Sequence, residues 1–432
     1  MKLKPFIDEI KWRGMIHDVM PGFENFIKDK INSAYIGFDP TSNSLHIGHL
    51  VPIMLLAHFQ RSGHRPIALV GGATGMIGDP SGKSAERNLL DDETIKTNQI
   101  QIKEQLSRFL DFDKSKENSA LLLNNLEWMK ELTFLDFIRD VGKHMTVNYM
   151  MAKDSVKNRI SNDDAEGMSF TEFSYQLVQG YDFLYLYKNF QCSIQMGGSD
   201  QWGNITSGTE LIRRIENGKG YALTCPLITK SDGSKFGKTQ DGNIWLDSKK
   251  TSVYKFYQYW LNTSDEDAEK YIKIFTFLSE KEIDSLILEH KETPHLRILQ
   301  KNLAKEITSI VHSDDAYNNA LKASNILYSD NFMKDIEVLD ESIFLDIFEG
   351  VPQYEIQSSM IINGIDMISA LSDKTNFLKS NSEARRALKE NSISVNKTKV
   401  DESYIIDEKD LISKKYIILN KGKKNTYIIK VI

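Results

Sequence analysis

Short continuous apolar runs alternate with longer segments of helical spacing as far as about residue 220. Ala34–Phe38, Pro66–Val70 and Ala120–Asn124 are short apolar runs that read as buried strands, and Phe190–Met196 reads as a further strand. Ala222–Thr229 has the same character. Between them, Leu50, Ile53, Met54 and Ala57 recur at helical spacing, and Glu93–Leu110, Thr133–Val141 and Ser169–Gly180 read as further helices. Strand–helix alternation of this kind predicts an α/β fold: a parallel sheet covered on both faces, with ligands at the carboxyl ends of its strands. From 248 to 330 the alternation stops. Val253, Tyr254, Phe256, Tyr257, Trp260 and Leu261, then Ile272, Ile274, Phe275 and Leu278, then Leu296–Val311 and Ala316–Leu327 predict packed helices. Residues 331–364 are acidic and turn-prone, with Gly350-Val-Pro352 and Gly364, and read as a connector. In the last block, 365–432, a capping-like Asn381-Ser382 opens the short basic helix Ala384–Lys389. Strand starts follow at Ile393–Asn396, Tyr416–Leu419 and Tyr427–Lys430.

Composition narrows the class. At 432 residues the chain is long for one core, and 41% hydrophobic with 26% charged residues is the balance of a soluble globular protein. No apolar run approaches the roughly 20 residues of a membrane span, and Asp8, Glu9 and Lys11 interrupt any signal-like core at the N-terminus. Two cysteines, Cys192 and Cys225, give neither a disulfide framework nor a metal quartet, which suits a reducing cytoplasm. The net charge of −6 argues against indiscriminate nucleic-acid binding, but it is uneven. Residues 361–432 carry 14 Lys and Arg against 9 Asp and Glu, so positive charge gathers at one end.

The candidate chemistry centres on the turn after the first strand. Tyr35-Ile-Gly37-Phe-Asp39-Pro-Thr41 leads into His46-Ile-Gly48-His49, where a helix is expected to begin near Gly48. A helix start offers backbone N–H groups without intrahelical partners and the positive end of the helix dipole, a place that receives phosphate. His46 and His49 add side-chain donors there, and Gly48 lets a flat ligand lie close. Alone, a His-x-x-His pair is more often a capping or ordinary surface pair than an active site. Two commoner nucleotide motifs fail in Gly71-Gly72-Ala-Thr-Gly75-Met-Ile-Gly78-Asp79. A dinucleotide fingerprint needs glycine where Ala73 stands, and a P-loop ending in Gly82-Lys83-Ser84 needs glycine where Ile77 stands.

His46-Ile-Gly-His49 after a first strand resembles the signature of class I aminoacyl-tRNA synthetases. The preceding Tyr-x-Gly-Phe-Asp-Pro-Thr resembles the bacterial tyrosyl-tRNA synthetases. Three further runs are similar to that family in its order: Gly71–Arg87, Phe173–Phe183, and Gly197-Gly-Ser-Asp200-Gln201-Trp-Gly-Asn204. A fourth, Lys230-Ser-Asp-Gly-Ser-Lys235-Phe-Gly-Lys238-Thr239, resembles the second class signature, a Lys-x-x-Lys-Ser/Thr loop. The resemblance implies a Rossmann-like catalytic domain over 1–247 and a helical anticodon-side domain over 248–330. A connector and a small α+β S-four-like RNA-binding domain over 365–432 then complete the chain. It implies a tyrosine–tRNA ligase using ATP with Mg2+, with no tightly bound cofactor and no structural metal, acting on L-tyrosine and tRNA(Tyr). A homodimer through helices near 130–165 and a cytoplasmic location follow from it too.

The resemblance also distributes roles. His46, His49, Thr41, Lys235, Lys238 and Thr239 serve the triphosphate and the developing charge, with Lys83 and Arg87 as further phosphate contacts. Gly37, Asp39, Gly48 and Asp200 join them around ATP. Tyr175, Gln179 and Asp79 take the α-ammonium of tyrosine, Tyr35 and Asp182 hold its phenolic hydroxyl, and Gln201 and Asn125 complete the tyrosine site. Tyr175, Gln179 and Asp182 are spaced along one helical face and its end. An indole has no hydroxyl for the Tyr35–Asp182 pair, which speaks against a tryptophanyl enzyme. A non-catalytic RNA-binding relative would be expected to lose the histidines or the lysine loop, and both are intact. No large insertion able to house an editing domain interrupts the alternating region.

Overall fold

A computed structural model describes residues 5–28, 30–79, 91–154, 156–157, 168–234, 236–239, 242–326, 336, 339–348, 351–422 and 425–432, with backbone alone at 92, 238 and 239. They form two compact units, 1–251 with 259–313, and 252–258 with 314–432.

The first unit is built on a six-stranded sheet. Its strands are β1 (Asp18–Val19), β2 (Ser33–Phe38), β3 (Arg65–Val70), β4 (Leu121–Asn124), β5 (Cys192–Gly198) and β6 (Tyr221–Cys225), in the order β1-β6-β5-β2-β3-β4. All neighbours pair in parallel except β1 with β6. The chain moves from β2 outward through β3 and β4, then returns to the other side of β2 as β5 and β6. The β2/β5 boundary is therefore the topological switch point, where open α/β sheets bind ligands. Tyr35 sits at that boundary, in register with Ile67 on one side and Gln195 on the other. Strands buried on both faces explain why the sequence shows continuous apolar runs.

The helices differ from expectation in instructive ways. The helix read as Ser169–Gly180 runs from Phe170 to Phe190, opened by a Ser169/Glu172 capping box and closed by Gln191 at φ 51°. It takes Phe190 from the expected strand, which begins instead at Cys192. Gly180 is no stop signal. A β-carbon there would lie 3.0 Å from Leu211 Cδ1, and one on Gly208 would lie 2.8 Å from Phe183 Cβ. The two glycines let this helix and Trp202–Glu216 cross closely. Asp182 consequently lies inside a helix rather than at its end.

Residues 259–313 pack as helices against the same unit, including Asp265–Phe275, Glu280–Glu292 and Ile298–Val311. The last of these begins at Ile298 rather than Leu296, because Arg297 adopts φ 53°. Arg13 ties the N-terminal helix to them: it pairs with Glu9 at 2.6 Å and donates to the carbonyls of Lys273, Thr276 and Leu278. A two-stranded ladder pairs β7 (Lys238–Thr239), the end of the lysine-rich loop, with β8 (Gly242–Asn243).

The second unit holds a five-stranded sheet, ordered β12-β11-β14-β15-β9. Its strands are β9 (Gln353–Ile356), β11 (Ile393–Val395), β12 (Thr398–Lys399), β14 (Tyr416–Lys421) and β15 (Asn425–Val431); β10 (Ile365–Asp366) pairs separately with β13 (Ile405–Ile406). β9 falls within the stretch expected to be a connector, yet it pairs in parallel with β15. The helix Glu341–Ile347 in the same stretch contributes Phe344, which stacks on Tyr416. Acidic turn residues around these short elements hid them from a reading by composition. In the helix Asn381–Lys389, Ala384, Ala387 and Leu388 are buried, while Arg385, Arg386 and Lys389 are exposed.

Candidate active site

The carboxyl ends of β2, β3, β4, β5 and β6 open into one cleft of about 840 Å3. Its lining includes Tyr35, Gly37, Asp39, Thr41, His46, Gly48, His49, Asp79, Asn125, Tyr175, Gln179, Asp182, Asp200 and Gln201. Every expected site residue whose side chain is described is thus brought to one cavity. Lys83, Arg87 and Lys235 lie outside the described residues, and of Lys238 and Thr239 only the backbone is described.

At one end of the cleft the chain turns through His46. Its Nδ1 accepts from the Gly48 N–H at 3.1 Å, and its own N–H donates to His49 Nδ1 at 3.1 Å. Each imidazole thus uses Nδ1 as an acceptor and carries its proton on Nε2 as a donor. The rings lie 4.0 Å apart, centroid to centroid, and Trp245 meets His46 edge-on. This geometry corrects the idea of open amides at a helix start. Ile47 N–H donates to Ile244 O, His49 N–H to His46 O and Leu50 N–H to Ile47 O. The backbone donors are already satisfied, so an anion here meets the imidazole Nε2–H groups.

Deeper in the cleft, Asp182 is buried and its carboxylate accepts from Asn125 Nδ2 at 2.9 Å and Trp128 Nε1 at 2.8 Å. Burial outweighs both donors and raises its pKa to about 7. Beside it, burial and then the Asp182 charge push the Tyr35 hydroxyl well above its usual value, so it remains a protonated donor. The Tyr35 hydroxyl oxygen is buried and has no hydrogen-bond partner among the described residues. A buried polar atom in that state costs about 1–3 kcal/mol unless something pairs with it.

Between the two ends lie the groups expected around an ammonium. Gln201 Nε2 donates to Asp79 Oδ2 at 2.7 Å, and Gln179 Nε2 reaches Gln201 Oε1 at 3.4 Å. Asp39 accepts from Thr74 Oγ1 at 2.9 Å, with the Tyr175 hydroxyl 3.4 Å from its other oxygen.

Asn125 departs from the expected pattern. Its Oδ1 accepts from Ala73 N–H and its Nδ2 donates to Thr74 and Asp182. Its amide is therefore engaged in holding the wall and Asp182. Sequence reasoning missed Trp128, Thr74 and Gln195. Trp128 stands three residues after Asn125, a spacing that carried the signal. Gln195 is a polar residue within an apolar strand, and its buried Oε1 faces the cleft unpaired among the described residues.

Comparison with known proteins places this geometry. A family model described as tRNA synthetases class I (W and Y) matches residues 28–329, and one described as the tyrosine–tRNA ligase SYY-like C-terminal domain matches 344–429. The tyrosine–tRNA ligase of Flavobacterium johnsoniae is 60% identical over 432 residues, the whole of both chains. The chain belongs to the tyrosine–tRNA ligase family. A second family member, from Porphyromonas gingivalis, is 59% identical over 425 residues, 98% of this chain and 99% of its own. Among solved structures, a C-terminally truncated mitochondrial tyrosyl-tRNA synthetase from Aspergillus nidulans is 32% identical with a TM-score of 0.67. That match covers 75% of this chain and 94% of the other. The expected α/β class I catalytic fold followed by a small α+β domain is that of the family.

Proposed function

We propose that this cleft is where L-tyrosine is activated, and one observation carries the reading. The unpaired Tyr35 hydroxyl and the buried Asp182 carboxylate stand in one wall of a cavity that also contains the histidine turn. The reaction is that of a tyrosine–tRNA ligase: L-tyrosine and ATP give tyrosyl-adenylate and diphosphate, and tyrosine then passes to the 3′ end of tRNA(Tyr). In the first step a tyrosine carboxylate oxygen attacks the α-phosphorus while the bond to the β-phosphate breaks and diphosphate leaves. In the second, a ribose hydroxyl of the tRNA attacks the tyrosyl carbonyl and AMP leaves.

In this reading Asp182 accepts the phenolic hydrogen and the Tyr35 hydroxyl donates to the phenolic oxygen. Phenylalanine would offer neither of them a partner, the mechanism of rejection for which the tyrosyl enzymes are the standing example. Asp79, Tyr175, Gln179 and Gln201 receive the ammonium group, with Asn125 and Trp128 orienting Asp182. The Nε2–H donors of His46 and His49, with Thr41, meet the phosphate charge that grows as the diphosphate departs. Gly37, Asp39, Gly48 and Asp200 border ATP. Lys235, Lys238 and Thr239, with Lys83 and Arg87, supply the remaining phosphate contacts. Mg2+ arrives with ATP as part of the substrate and is given no protein ligand.

Residues 1–247 carry this chemistry, the helices of 248–330 face the anticodon side, and the block from β9 onward binds RNA through its exposed Arg385, Arg386 and Lys389. Phe134, Leu135, Val147 and Phe170 are more than half exposed in the single chain, which supports a homodimer through that region. The chain works in the cytoplasm.

Tyrosine-dependent ATP–pyrophosphate exchange by the purified protein tests the reading. Exchange with tyrosine and little with phenylalanine is expected, with Tyr35→Phe and Asp182→Ala eroding the difference. No exchange in the presence of magnesium, or unchanged selectivity in both variants, would end it.

A further inference from the structure

The lysine-rich loop is held at both ends by residues that none of the roles above uses. At its start, the Ser231 N–H and hydroxyl donate to the two oxygens of Asp267 at 3.0 and 3.2 Å. At its far end, Phe236 enters a box of four aromatic rings. It stacks on Phe275 at 5.3 Å with an interplanar angle of 6°, and meets Tyr271 at 5.1 Å, Trp260 at 5.9 Å and Tyr259 at 6.2 Å. Trp260, Tyr271 and Phe275 are themselves fully buried and in mutual edge contact. The box is therefore a rigid receptor, made by one residue pair at the end of the helix Val253–Leu261 and another on Asp265–Phe275.

The next residue fixes the loop to the histidine turn. The Gly237 N–H donates to the Tyr259 hydroxyl at 3.3 Å, and its φ of 84° suits glycine. A β-carbon there would lie 3.1 Å from Ile47 Cγ1 and 3.5 Å from Gly48 N. Gly237 O accepts from Ile244 N–H, and Ile244 O accepts from Ile47 N–H. Two hydrogen bonds thus connect the backbone beside Phe236 to Ile47, the residue after the first histidine. Phe236 and Gly237 occupy the positions between Lys235 and Lys238.

We propose that Phe236 is a positioning residue for adenylate formation. Seated in the box of Tyr259, Trp260, Tyr271 and Phe275, it sets the register of the lysine loop against the His46–His49 turn. Both lysines then meet the triphosphate without a search. This rests on the reading of that loop as a phosphate-binding loop. Phe236 also borders the cleft, and the effect proposed for its ring is on orientation, where a displacement of about 1 Å can lower a rate about a hundredfold.

The test is Phe236→Ala in the full chain, with Phe236→Leu as the conservative variant and Tyr259→Phe to remove the acceptor of the Gly237 N–H. Steady-state pyrophosphate exchange is measured with ATP and tyrosine varied separately, and the tyrosine Kd without ATP by equilibrium dialysis. Phe236→Ala is expected to lower kcat of exchange about a hundredfold while the tyrosine Kd stays within about twofold. Phe236→Leu should recover part of the loss, and Tyr259→Phe should show a smaller loss of the same kind. Exchange within about twofold of wild type in Phe236→Ala overturns the proposal. So does a tyrosine Kd weakened as much as kcat, because the box would then be holding the whole site together. Lys235→Ala and Lys238→Ala serve as the separate control. If neither changes exchange, the phosphate-binding reading of the loop is what has failed.

Discussion

Replacing Asp182 by asparagine separates the charge of this buried group from its shape. The carboxylate is pulled down by the Asn125 and Trp128 donors and pushed up more strongly by burial, to about 7. In the unfolded chain its pKa is about 3.9. Between those values the folded protein holds a proton that the unfolded chain has released, so stability falls as pH rises. The contribution is fully present below about pH 4 and lost as pH climbs through about 7. Its slope approaches about 1.4 kcal/mol per pH unit. Asparagine does not titrate. The stability difference should therefore move in favour of Asp182→Asn by roughly 2–3 kcal/mol between pH 5 and pH 7.

A second, constant effect opposes it. An amide has one oxygen, so either Asn125 Nδ2 or Trp128 Nε1 must face an NH2 group, leaving a buried donor unpaired at about 1–3 kcal/mol. That effect moves the offset and leaves the slope. Denaturant midpoints of the ligand-free wild type and variant at pH 5, 6, 7 and 8 supply the measurement. Other titrating groups cancel in the difference. A difference flat across that range would refute the idea that Asp182 is held near neutrality by burial. With tyrosine present, wild-type affinity should tighten from pH 6 to 8, as ionised Asp182 gains the phenolic donor, and the variant should show no such trend.

Three more outcomes follow from the same geometry. Trp128→Phe removes one donor to Asp182, so tyrosine affinity at pH 7 should fall by about tenfold, the worth of one charge-assisted hydrogen bond. Raising the pH to 8 should restore part of it; a loss independent of pH would mean that Trp128 acts by packing alone. His49→Ala removes the Nδ1 acceptor of the His46 N–H and one Nε2–H donor. It should lower the exchange rate by about a hundredfold or more with the ligand-free tyrosine Kd unchanged, and equal losses in both would place the defect in the fold. Changing Arg385, Arg386 and Lys389 together to Gln should weaken tRNA charging and flatten its salt dependence by about one unit of log–log slope for each phosphate no longer neutralised. Pyrophosphate exchange should stay within about twofold, since the substituted residues are exposed on a helix of the second unit. A matching drop in exchange would contradict their assignment to RNA.

Much of this was legible because short-range pattern and chemistry agree. Strands buried on both faces print as continuous apolar runs, so β2, β3 and β6 could be placed from the sequence, and the half-buried edge strand β4 prints as a run too. The cleft then follows from topology, because every residue proposed at a strand end arrives at the same edge of the sheet. What pattern could not show depends on partners distant in the chain. Gly180 looks like a helix stop until Leu211 and Gly208 are seen to need its missing side chain. β9 is four residues in an acidic stretch and becomes a strand only because β15 pairs with it. Trp128 looks like a core aromatic until its indole N–H is found on Asp182, 54 positions away. The amides of the histidine turn looked open because Ile244, the residue that takes the Ile47 N–H, lies almost 200 positions later.

On the function proposed above, selectivity in this cleft rests on the Tyr35–Asp182 pair. Asp182 has two donors and is still too buried to hold its charge easily, and Tyr35 carries a hydroxyl with no acceptor among the described residues. On that proposal a substrate phenol gives a hydrogen to the carboxylate and an oxygen to the hydroxyl. An apolar ring of the same size would offer neither partner and would seal both groups from water, which is the penalty proposed for the wrong amino acid. The same strand sets the reach to the other end. Tyr35 and Asp39 are four residues apart along and just beyond β2, roughly 13 Å at the rise of a strand, and the turn to His46 follows. On the proposed roles, phenol and phosphate are thereby measured off one rigid element. This is also why a register error in β2 would disable recognition and chemistry together: a slip of one residue sends Tyr35 to the opposite face of the sheet.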